Sequence, residues 1–99
     1  MLRQSLGFDR MRFKVVRICG SAANTVLPEE RITFDLKQSA LLLQDMDYSV
    51  IDREMMLLAT KDGIEVSIYR TGRMVIHPAE KERAREMAEK FYHLLPRSA

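Results

Sequence analysis

A chain of 99 residues has the size of one domain and leaves no room for a second independent core, so any site must share a single scaffold. Apolar residues at 46% and charged residues at 30% exclude the disordered and fibrous classes. The balance of 16 basic against 14 acidic residues, a formal charge of +2, is too even to mark a polyanionic partner by composition.

Residues 1–10 mix polar and apolar types without a period and read as a loosely held arm, with residues 11–99 forming the domain. They carry no signal-peptide apolar block, and no run of 18 apolar residues follows anywhere in the chain. The lone Cys19 cannot form an intramolecular disulfide and is expected as a small buried hydrophobe. Together these features predict a cytoplasmic protein with no membrane partner.

Residues 12–18, RFKVVRI, are β-branched enough for a strand ending before Gly20, although Arg17 spoils either alternation. Residues 21–31 contain Asn24, Pro28 and two glutamates and are expected as an irregular loop. Residues 33–46 place Leu36, Ala40, Leu43 and Met46 at helical spacing, with Thr33 or Asp35 positioned to cap the first amides. Strand patterns return at residues 48–51 and 54–60, interrupted at Asp52 and Arg53.

Asp62 and Gly63 favour a two-residue hairpin turn because both tolerate positive φ. IEVSIYR then alternates strictly, with Ile64, Val66 and Ile68 on one face and Glu65, Ser67 and Tyr69 on the other. Thr71 and Gly72 make the next turn, and RMVIH buries Met74 and Ile76 while Val75 and His77 point away. Pro78 suits the first turn of a final helix. That helix carries Ala84, Met87, Ala88, Phe91, Leu94 and Leu95 on one stripe, and Pro96 stops it. The alternating charges of residues 80–86 read as its solvated face.

The resulting order is an α+β domain, β-α-ββββ-α, with an antiparallel sheet and both helices on one side. The bare face presents Glu65, Ser67, Tyr69, Arg73, Val75 and His77. Ser67, His77 and Glu65 share that face, but polar trios on short strands arise by chance, so no catalysis is expected. His77 and His93 stand on different elements with Cys19 remote, so no metal is expected, and the scattered glycines form no phosphate-binding pattern that would imply a cofactor. Met55, Met56, Met74 and Met87 occupy apolar-pattern positions and are expected to fill the core. Arg70 and Arg73 flank the Thr71-Gly72 turn as the sharpest basic spot, with Arg12, Lys14 and Arg17 as candidates to join it.

FDLKQSALLLQDMDY, in the first helix and its exit, and IYRTGRMVIHPAEKERAREMAEKFYHLL, in the last hairpin and helix, carry a family resemblance. With Asp35-Leu36-Lys37, Ala40-Leu41, Tyr48, Tyr69 to Gly72 and Arg73 to Val75 in order, residues 12–95 resemble one repeat of the TATA-box-binding protein family. Members carry two repeats, forming a saddle whose concave sheet sits in the DNA minor groove and whose phenylalanines wedge between base steps. A single repeat implies a curved half-saddle and, for a full saddle, a homodimer. Tyr69 falls where one wedge stands, and Arg73 and Val75 fall on DNA-facing positions. The partner wedge falls near Asp52 or Arg53, and Glu65, Ser67 and His77 depart from the family's small or apolar groove-facing residues.

The expected function is therefore a non-enzymatic nucleic-acid-binding module, working as a homodimer through Tyr69, Arg70, Arg73, Val75 and His77. The alternative is a protein-interaction or assembly module that uses the open sheet face or an edge strand.

Overall fold

The computed structural model describes residues 11–98, and the expected arm at residues 1–10 lies outside them. Two strands, β1 (Phe13–Arg17) and β2 (Asn24–Pro28), precede α1 (Leu36–Asp45). Four more follow, β3 (Ser49–Asp52), β4 (Met56–Lys61), β5 (Ile64–Tyr69) and β6 (Met74–His77), before α2 (Lys81–Leu94). They form one open antiparallel sheet of six strands in the order β1-β2-β6-β5-β4-β3.

The strict alternation of residues 64–69 has the expected effect. Val66 and Ile68 are fully buried, as are Leu57 and Ala59 on β4 and Met74 and Ile76 on β6. These side chains join Leu36 and Leu43 of α1 and Ala84, Ala88 and Phe91 of α2 in one core, so both helices cover the same face of the sheet. Asp62 and Gly63 make the expected hairpin turn with φ of 53° and 81°. The Asp35 side chain caps α1 by accepting from the Gln38 amide at 3.0 Å.

Four expectations are corrected. The loop expected at residues 21–31 contains β2, which raises the strand count to six and gives the order ββαββββα. Asn24 and Pro28 read locally as breakers, but they stand at the two ends of the strand, and Thr25-Val26-Leu27 between them is held by β1 on one side and β6 on the other. Pro78 does not open α2, which starts three residues later with Glu80 as its extended N-cap residue. On α2, Tyr92 is buried and Leu94 is exposed, because the helix lies against the β1 and β2 side of the sheet, where Phe13 waits. Cys19 and Met55 are exposed, Cys19 at the β1–β2 connection and Met55 in the β3–β4 connection.

Tyr92 ties these pieces together. Its ring lies 5.2 Å from Phe13 and stacks 5.9 Å from Phe34, and its hydroxyl donates to the carbonyl of Gly72 in the β5–β6 connection. Gly72 has φ of 95°, which strains any residue with a side chain, and an added Cβ would lie 2.6 Å from the Ile32 side chain and force it to shift. The connection is a three-residue loop, closed by the Tyr69 amide donating to the Arg73 carbonyl at 2.9 Å.

Burial pushes the Tyr92 phenol well above its ordinary value of 10.0, and Arg97 opposes this only in part. The folded pKa is raised, so the stabilising effect is complete below about pH 9 and declines as pH rises past the unfolded value near 10. Tyr92→Phe is expected to cost roughly 1–3 kcal/mol at neutral pH, because the buried Gly72 carbonyl loses its donor. It should also shrink the loss of stability between about pH 9 and 11, leaving the part due to Tyr48, whose phenol burial also raises. Urea denaturation at both pH values checks both effects. Asp35→Ala should lower the same midpoint by an amount equivalent to about 1 kcal/mol through loss of the α1 cap.

Candidate interaction surface

The face opposite the helices is built from the outward positions of all six strands, and the register aligns them in rows. The central row runs Val16, Thr25, Val75, Ser67, Leu58 and Ile51, one residue from each strand. Four of the six are apolar, and Val16 and Ile51 at the two ends are 48% and 50% exposed. No described residue covers this row.

A second row lies about 7 Å away along the strands, two residues further on. It holds Lys14 paired with Leu27, then Arg73 one step beyond the Val26–Met74 pair, then Tyr69 paired with Met56. The Arg73 guanidinium sits 5.1 Å from the centre of the Tyr69 ring, a cation–π distance, and so leans from β6 over β5. The third row, on the other side of the centre, holds His77 paired with Glu65, then Thr60 and Ser49. His77 Nε2 lies 3.6 Å from Glu65 Oε2. The face therefore has an apolar middle, a cationic side and a side carrying one carboxylate.

Tyr69, Arg73, Val75 and His77 all stand on this face, but Arg70 does not join them. The strand alternation carries Arg70 to the other side of the sheet edge, where it stays exposed and its guanidinium Nη2 lies 3.4 Å from the Glu54 carbonyl. There it lines a cleft of about 590 Å³ with Asp35, Lys37, Asp52 and Met55. Arg17 also leaves the expected basic spot, since it points to the helix side and lies 3.6 Å from Glu80. Lys14 is thus the companion of Arg73 in its row.

Sequence reasoning missed Leu58, Ile51, Val16 and Leu27 as surface residues. One signal was present. The unbroken run MMLLA at residues 55–59 cannot bury every side chain on one face of a strand, so Met56 and Leu58 had to face out when Leu57 and Ala59 faced in. The methionine expectation is corrected with it, because Met74 fills the core while Met56 is half-buried on the open face.

Ser67 lies beside Val75 in the register and makes no hydrogen bond to His77 among the described residues. No group of three His, Cys, Asp or Glu side chains comes together to hold a metal among those residues. No helix among them is long and apolar enough to cross a membrane. Compared with protein-family models, curated proteins and solved structures, the chain matches none.

Proposed function

We propose that this chain is a non-enzymatic binding module that contacts a protein partner through the open face of its sheet. The observation that carries the reading is the row spanning all six strands, four of whose six outward residues are apolar. Soluble monomers seldom leave a contiguous apolar patch of several hundred Å² in water. Here Val16, Val75, Leu58 and Ile51 line up across the full width of the sheet, joined by Leu27 and Met56. A polar rim around an apolar centre is the usual anatomy of a protein interface. The exposed, unpaired Cys19 fits a reducing, cytoplasmic home for such a module.

A nucleic-acid partner is the second reading, favoured by the stacked Tyr69 and Arg73 with Lys14 in the same row. The resemblance to a repeat of the TATA-box-binding protein family takes residues 12–18 as its single strand before α1, and β2, which lies between β1 and β6 in the sheet, is a strand that it does not contain. The face offers few cations for phosphate, however, and Glu65 stands among them. Minor-groove kinking needs apolar wedges, and Asp52 and Arg53 stand near the second wedge position. The protein reading therefore fits the surface better.

A photo-crosslinking residue at Leu58, with one at the exposed Glu89 of α2 as control, separates the readings in cells. A nuclease-resistant protein adduct at Leu58 alone is expected. A nuclease-sensitive adduct would transfer support to nucleic acid, and binding should then weaken with a log–log salt slope near −0.9 for each phosphate neutralised. Equal, background labelling at both positions would remove both readings.

A further inference from the structure

We infer that the partner of the open face is a second copy of this chain, packed face to face about a two-fold axis that runs along the apolar row. The inference rests on the protein-contact reading and adds the identity and the geometry of the partner. A two-fold axis in the plane between two sheets can run along the strands or across them, and the charges decide between the two. An axis along the strands lays each row on its own copy with the strand order reversed, so the row of Lys14 and Arg73 faces the same cationic row, Arg73 meeting Tyr69, while Glu65 meets only His77, the residue that it already pairs with inside its own copy. The cationic row is then set against itself, which is unfavourable, and neither Lys14 nor Arg73 reaches the carboxylate.

An axis across the strands, along Val16, Thr25, Val75, Ser67, Leu58 and Ile51, keeps the apolar row on its own copy and exchanges the two flanking rows. Strand then lies over the same strand in reversed direction, within the aligned class of sheet packing. Glu65 of one copy meets the end of β5 that carries Tyr69 in the other. The Arg73 guanidinium already leans over the Tyr69 ring, so the cation stands in the column that the opposing carboxylate enters. The surface is thus complementary to itself in both polarity and charge, as an isologous interface requires.

The area sets the strength. Six strands about 4.8 Å apart and three rows about 7 Å apart give roughly 500–600 Å² per copy. About 1,000–1,200 Å² in total is the lower end of specific interfaces, so dissociation in the micromolar range is expected.

Sedimentation of the full chain from about 1 to 200 μM tests this, and a reversible monomer–dimer equilibrium is the expected result. Leu58→Asp should abolish the dimer while circular dichroism stays unchanged. Arg73→Glu and Glu65→Arg should each weaken it by about tenfold or more, and the double variant should recover most of the loss, because the two charges meet across the axis. These two positions are exposed enough that the swap reads out even where Leu58→Asp fails to fold. A monomer at every concentration overturns the inference, and so does a dimer in which the double variant is no better than the singles. A monomer that still yields a protein adduct at Leu58 overturns the self-pairing alone and leaves the protein-contact reading in place.

Discussion

The Tyr92 hydroxyl bound to the Gly72 carbonyl is the constraint on which the arrangement of this molecule turns. It is buried, and it joins residues far apart in sequence. It holds the last helix to the loop between β5 and β6, while the Tyr92 ring is set between Phe13 of β1 and Phe34 before α1. One side chain thus relates the first strand, both helices and the hairpin loop. Gly72 suits the position because its left-handed φ of 95° strains any residue with a side chain, and a Cβ there would also push the Ile32 side chain aside. With the loop pinned, Tyr69 and Arg73 leave it in fixed directions on the outer face.

That fixing shapes the surface as much as the core. The same strands must satisfy two environments, and they do so with apolar residues on both faces at their centre. Inward, Val66, Leu57 and Ile76 pack beneath the helices. Outward, Val75, Leu58 and Ile51 form a row that no described residue covers. A sheet with one solvated face ordinarily alternates apolar with polar residues. This sheet departs from that pattern most in the central row, with Leu27 and Met56 beside it. In the proposed pairing the polar residues to either side would carry orientation more than affinity, since exposed charge pairs contribute little energy but penalise wrong registers.

How far this was legible varies with how local each cause is. The Asp62-Gly63 turn and the strand after it could be read directly, because the turn depends on two residues and the alternation on six. The same reading placed Tyr69, Arg73, Val75 and His77 on one face. β2 could not be read, since three residues between Asn24 and Pro28 carry no period and are held in strand form by neighbours on either side. Tyr92 and Leu94 exchanged places for a similar reason: spacing on a helix gives a stripe but not its edges, and the edge here is set by Phe13, about eighty residues earlier in the chain. Arg70 was misplaced because the loop has three residues rather than two, so Tyr69 and not Arg70 pairs with Arg73, and alternation leaves Arg70 on the side opposite both. The exposed apolar row depends on register across six strands, which no single segment encodes.

The hairpin of β1 and β2 bears on how the chain must acquire its shape. Its inner neighbour in the sheet is β6, some fifty residues downstream. Buried Asn24 donates its side-chain amide at 2.8 Å to the Ala79 carbonyl, and the Ala79 amide donates back to Ala22 at 3.0 Å. This hairpin therefore cannot dock on the sheet until the segment some fifty residues downstream has been made. Such distant pairings make folding slow relative to helical domains of equal length.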